Sequence, residues 1–455
     1  MTGDMTQGKP LPTLIRFTAP ILLGSIFQQI YQMTDMFIVG NVIGSKALAS
    51  IGAANPVVFP ASIIVTGMTT GFTAVSSRCF GAKDAVMLKK SISGAMYISV
   101  LFAVIMATAW ILGAGPALRL LNTPDDIFAD CVLYVRISIG GSAGMVLFGA
   151  AASLLRAVGD SRTPLIFMII TSIVNVLLDL LLVWGLNMGV GGAGLALVLS
   201  QFAVAVAMIA HIGKRFDIFR FERKDLMPPF RVMWTILFIS LPAIVQYLFL
   251  SVGDMVVASV VNTYGSNMVA AFSSGNRIIM LSVIFTMNMS VAHSVFAGQN
   301  LGAGKLDRIR DAFLKSAALN TLICASAGVL VYIFGGAWVR LLISKADPNL
   351  EEIVALTRQL MRVQALFLVA LGMIFLYNNT LRGMGMMRAP FLSTLGELLS
   401  KVCFAYILTR LMGYAGIWFI YPLGWLLGLL PPVIWFHTGR WRKGRAVGVN
   451  GGALP

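Results

Sequence analysis

The sequence predicts an all-α polytopic membrane protein, with twelve transmembrane helices in two pseudo-symmetric six-helix lobes. Three observations carry this prediction. Hydrophobic residues make up 58% of the chain and charged residues 11%, against about 25% charged in a soluble domain. Apolar runs longer than the roughly 20 residues that cross a bilayer recur along the whole length. Motifs of the first half return in the second at a nearly constant spacing.

The apolar segments cover 14–41, 47–79, 91–114, 127–155, 164–186, 191–213, 231–262, 268–300, 309–335, 352–381, 390–411 and 415–437. Each reads as a helix, because in lipid a helix satisfies its own backbone hydrogen bonds. No stretch reads as a separate soluble domain. The short polar start, MTGDMTQGKPLP, does not read as a cleavable signal peptide. The expected organisation is an N-terminal lobe over 1–213, a charged linker over 214–230 and a C-terminal lobe over 231–455.

The first segment contains PILLGSIFQQIYQMTD, residues 20–35. Pro20 removes a backbone hydrogen bond and tends to kink a helix, which makes it a candidate hinge. Asp35 brings a carboxylate that must be paired, hydrated or protonated inside a membrane. Gln28, Tyr31, Gln32 and Asp35 share one face at spacings of three and four residues. Such a stripe either lines an ion or substrate pathway or hydrogen-bonds across helices.

The fifth segment contains NVLLD, residues 175–179, which puts Asn175 and Asp179 one turn apart on one face. The seventh contains Asp254, with Arg277 of the eighth as its candidate partner. The eleventh contains LGELLSKV, where Glu397 and Lys401 stand in the order that favours an ion pair along the helix. His293 reads as a core histidine. Tyr247 and Met287 are candidate wall residues of a substrate cleft, since aromatic faces and thioethers suit varied planar cations. Cys79, Cys131, Cys324 and Cys403 lie far apart without metal-ligand spacing and read as reduced thiols.

The formal net charge is +16. In a soluble protein this would suggest a nucleic-acid partner. Here 24 basic residues fall at the termini and in the loops after even-numbered segments, against 8 on the other side. The positive-inside rule therefore accounts for the charge, and both termini are expected in the cytoplasm. No GxxxxGK[ST] loop, HExxH or CxxC occurs, so the sequence points away from ATP hydrolysis and from an enzyme, and no cofactor is expected.

The internal repeat is explicit. LRAVGDSRTP at 155–164 returns as LRGMGMMRAP at 381–390, and FGAKD at 80–84 as LGAGK at 301–305. GGAG at 191–194 pairs with GYAG at 413–416, and Asp35 with Asp254 at an offset of 219. Six spans per copy give both copies the same orientation, a parallel repeat whose two bundles can rock about a central cleft. At the 226-residue offset, Asn175 and Asp179 align with Lys401 and Ala405, so the second copy lacks that pair.

With Pro20 fifteen residues before Asp35, the run IVGNVIGSKALASIG at 38–52, the two duplicated loop motifs and NVLLD, the chain resembles the multidrug and toxic compound extrusion (MATE) family over nearly its whole length. The resemblance implies two six-helix lobes in a V. It also implies a secondary active antiporter that exports organic, often cationic compounds in exchange for H⁺ or Na⁺. By the same resemblance, Asp35, Asn175 and Asp179 hold the coupling ion, with Na⁺ one candidate occupant. Another branch relies on acids of the seventh and tenth helices. Here Asp254 is present, as a second candidate site, but the tenth segment has no deep acid. The implied setting is the plasma (inner) membrane, with the lipid bilayer and small organic substrates as partners, no nucleic acid, and a monomeric chain.

Two rival readings remain at this level. A lipid-linked saccharide flippase of the same superfamily would need a strongly cationic cleft. A non-transporting membrane receptor or scaffold would need neither the intramembrane acids nor the repeat.

Overall fold

The computed structural model describes residues 3–42, 45–121, 123–215, 227–342, 348–439 and 441. Within its first two helices, the side chains of Gln32, residues 35–46 and Leu48 lie outside that description, so the placement of Gln32 and Asp35 side chains lies outside it too. The described residues are almost entirely helical and contain no strand.

The helices are α1 (Pro10–Val42), α2 (Ser45–Gly81), α3 (Ala85–Leu120), α4 (Asp125–Gly140), α5 (Ala143–Ala157), α6 (Arg162–Asp179) and α7 (Gly189–Arg215). They continue as α8 (Phe230–Asn262), α9 (Ser266–Ser282), α10 (Ile284–Gly302), α11 (Leu306–Leu342), α12 (Leu350–Ala365), α13 (Leu368–Gly383), α14 (Arg388–Met412) and α15 (Ile417–His437). Among the described residues, eight continuous helical stretches are long and apolar enough to cross a bilayer, and three bent pairs bring the number to 11. One of the eight, Arg388–His437, contains both α14 and α15, which fold back on each other across the turn Gly413–Gly416. With these two counted separately, twelve passes result, the number expected from the sequence.

Three passes expected as single helices are broken. The segment 127–155 is α4 plus α5, bent by 40°; 268–300 is α9 plus α10, bent by 49°; 352–381 is α12 plus α13, bent by 54°. The first and last breaks fall at repeat-equivalent places, around Gly141 and Phe367. Gly140, Gly141 and Ser142 supply the usual local cause of a kink at the first. At the last, Gly328 of α11 lets the backbone approach: a Cβ there would lie 2.7 Å from the Ala365 carbonyl oxygen.

The chain packs as two compact units, Met1–Asp4 with Ala19–Ile244, and Met5–Thr18 with Val245–Pro455. Most of the linker expected over 214–230 lies outside the described residues. The division itself falls inside α1 and α8, beside Pro20 and Pro242, the prolines within those two helices. In unit 1, α2 packs on α3, α4 and α5, and α7 packs on α4, α5 and α6. In unit 2, α10 packs on α13, α11 on α12 and α13, and α14 on α15.

The apolar outer faces follow helical periodicity. On α6, Ile166, Ile170, Ile173 and Leu177 are exposed, a stripe suited to lipid. The opposite face of the same helix carries Pro164, Asn175 and Asp179, all buried. A polar pair thus sits on the inner side of an otherwise lipid-facing helix.

Candidate functional site

Unit 1 builds its polar site from α1 and α6, which run parallel. Gly24 of α1 lies against Leu165 and Met168 of α6; a Cβ at Gly24 would come within 2.9 Å of Met168 Cε. Seven residues further along each helix, the Tyr31 hydroxyl donates to Asn175 Oδ1 at 2.8 Å. Two turns of common register therefore join the helices. One more turn on both brings position 35 level with Asp179, while the Asp35 side chain itself lies outside the described residues.

Asn175 and Asp179 are 1% and 0% exposed. Asn175 Nδ2 finds no hydrogen-bond partner among the described residues. Asp179 is the last α-helical residue before a π-helical stretch, Leu180–Gly185. There Leu186 N donates to Leu181 O, five residues back, instead of four. A π-turn widens the helix and re-aims the side chains at its edge, and such turns cluster at functional sites. NVLLD alone does not reveal that widening, since its hydrophobic pattern is compatible with a regular helix.

The remaining stripe residues divide. Tyr31 faces α6, whereas Gln28 is exposed and Gln32 lies outside the described side chains. Pro20 is buried in α1 at the division between the two units.

Unit 2 departs from the sequence expectation in its ion pairs. Asp254 of α8 pairs with Lys401 of α14, Oδ1 to Nζ 2.6 Å. Arg277, expected as its partner, is exposed on α9. Glu397, expected to pair with Lys401 along the helix, is buried and packs beside Gly428 of α15. The cross-helix pair is favoured because Tyr421 of α15 joins it, donating to Asp254 Oδ1 at 3.0 Å. At the repeat offset, Lys401 stands where unit 1 has Asn175.

A second network was not anticipated. Arg382, counted in the sequence as a loop charge, is 6% exposed at the end of α13. Its Nη2 and Nε donate to Gln246 Oε1 at 2.6 and 3.2 Å, and its guanidinium lies 5.3 Å from the Tyr247 ring centroid. Tyr247 is thereby engaged by a cation of its own chain. The available signal was the repeat itself: LR opens both loop motifs, and Arg156 is the counterpart of Arg382. Met287 packs against a buried cluster that includes Ile278 and Val283, which is core packing. His293 is buried and shares a hydrogen bond with Thr380, Nδ1 to Oγ1 3.0 Å, as befits a core histidine.

Two helical units built of long apolar helices define a polytopic membrane protein. The MatE family model matches residues 20–181 and 242–407, and the chain belongs to that family. The probable multidrug resistance protein YpnP of Bacillus subtilis is 28% identical over 449 residues, covering 96% of this chain and 97% of the relative. The probable multidrug resistance protein NorM of Thermotoga maritima is 24% identical, covering 95% of this chain and 93% of the relative. Among solved structures, MATE in the bent conformation superposes with a TM-score of 0.88 at 23% identity, over 97% of each chain. A MOP superfamily transporter from Pyrococcus furiosus gives 0.86 at 22%, again over 97% of each. These structural likenesses establish the fold.

Proposed function

We propose that the protein is a multidrug exporter of the plasma membrane, moving organic, often cationic compounds outward in exchange for H⁺ or Na⁺ by alternating access. One observation carries the reading: the parallel register of α1 and α6 leads through the Tyr31–Asn175 hydrogen bond to the fully buried Asp179. Tyr, Asn and Asp oxygens are hard donors suited to Na⁺, and a carboxyl group equally takes up H⁺. Asp35 follows Tyr31 by four residues in the sequence of the same helix. The multidrug names of YpnP and NorM support an organic substrate. The basic loops favour cytoplasmic termini.

In this reading, ion uptake changes the charge at the α1–α6 contact and α1 responds at Pro20. Coupling requires that ion and substrate bind the outward- and inward-open states unequally. The test is efflux of ethidium from liposomes containing the purified protein, with ΔpH and ΔNa⁺ imposed separately. Efflux should follow one gradient, and Asp179→Asn should follow neither. Indifference of the parent protein to both gradients would overturn antiport. Undiminished coupling in the variant would overturn the site.

A further inference from the structure

Unit 2 carries a cation site that the chain fills itself. Lys401 Nζ stands 2.6 Å from Asp254 Oδ1 and 4.7 Å from the centroid of the Tyr421 ring. The Tyr421 hydroxyl donates to that same carboxylate oxygen. An anion on one side and an aromatic face on the other form a receptor for an ammonium group. The lysine side chain is 4% exposed, whereas that of Asp254 is 53% exposed. The carboxylate therefore lies at the surface of the helix packing, and the ammonium reaches it from within the protein.

The stem of Lys401 has a place made for it. Gly253 precedes Asp254 on α8, and a Cβ there would come within 2.9 Å of Lys401 Cδ. Two further charges lie nearby, and Glu397 is close enough to Lys401 and Asp254 to interact with both electrostatically. Glu397, one turn earlier on α14, rests against Gly428, where a Cβ would lie 2.6 Å from its Cγ. Arg382 is directed at Gln246 and Tyr247.

We infer that Lys401 is a tethered occupant of a monovalent-cation site formed by Asp254 and Tyr421, and that its ammonium excludes external cations from unit 2. A group on the same chain acts at a high effective concentration, so a dilute solute cation does not displace it. Shortening the side chain opens the site to a primary alkylammonium, the chemical class the lysine end represents. The inference concerns unit 2 alone and does not use the reading of the α1–α6 site.

The test uses the purified full-length protein and its Lys401→Ala variant, with thermal unfolding followed in propylammonium chloride, tetramethylammonium chloride or NaCl at equal ionic strength. The variant should unfold several degrees below the parent. Propylammonium should raise its midpoint saturably, as a ligand of the folded state does. Tetramethylammonium, which meets the aromatic face but has no N–H to donate to the carboxylate, should act more weakly than propylammonium, and NaCl should serve as the ionic-strength baseline. The parent should not distinguish the salts, and Lys401→Ala combined with Asp254→Asn should lose the propylammonium response. A folded Lys401→Ala protein indifferent to propylammonium would overturn the inference, as would an equal response in the parent. Should Lys401→Ala not fold, Lys401→Met keeps the stem packing and removes only the charge. The Lys401→Met and Asp254→Asn losses should then be less than additive when combined; strict additivity would refute the pairing.

Discussion

Tyr31 and Asn175 are joined by a hydrogen bond of 2.8 Å between α1 and α6, two helices separated by 144 residues in sequence. It is the polar contact that leads from the proline-bearing helix to the buried Asp179. Tyr31→Phe removes the donor and leaves the Asn175 oxygen without it, at a cost of about 1 kcal/mol. The expected outcome is a modest fall in thermal stability with a larger fall in ion-coupled dye efflux. Unchanged efflux at normal expression would show that the contact is structural only.

Asn175 separates stability from function more sharply. Its buried Nδ2 has no partner among the described residues, so an apolar replacement removes an unmet polar group. In a Tyr31→Phe background, Asn175→Leu should unfold within about 1 kcal/mol of the background protein. It should nevertheless lose coupled transport. A large loss of stability would mean the amide is chiefly a structural bond.

Pro20 lies inside α1, where the division between the two units falls. Pro20→Ala restores a backbone donor, and interior proline costs a helix about 3 kcal/mol relative to alanine. Amide hydrogen exchange should slow across this part of α1, and efflux should fall because a stiffer helix bends less readily. Full transport with slowed exchange would refute the hinge.

Arg382 provides a test in unit 2. Truncation to alanine strips Gln246 of two charge-assisted hydrogen bonds and Tyr247 of its cation. The expected destabilisation is about 2–3 kcal/mol, read as a lowered unfolding midpoint. A surface arginine of a basic loop would cost almost nothing.

Gly144 of α5 permits a close backbone crossing with α7: an added Cβ would lie 2.6 Å from Phe202 N and 2.9 Å from its Cα. Backbone cannot yield as a flexible side chain can. Gly144→Ala should therefore destabilise by about 1–3 kcal/mol, and Gly144→Val by more, as followed by thermal unfolding of the purified protein.

The class of protein and the outline of its architecture are determined by the sequence alone, because both rest on local properties. Span length follows from bilayer thickness, the count of passes from runs of apolar residues, and the repeat from motifs that recur 221 to 226 residues apart. Asn175 and Asp179 could be chosen for the same reason: polar residues are rare in such segments, and an i, i+4 spacing already places them on one face. The partners they take are decided only in the tertiary structure. Local spacing favoured Glu397 for Lys401, yet the lysine crosses to Asp254, since Gly253 leaves room for its stem and Tyr421 completes the site. Arg382 looked like a loop charge and is buried against Gln246. The bends at Gly141, Val283 and Phe367 and the π-turn after Asp179 depend on neighbouring helices, which a linear pattern of hydrophobicity does not contain. Periodicity selects the face on which a polar side chain lies; packing selects the group that meets it.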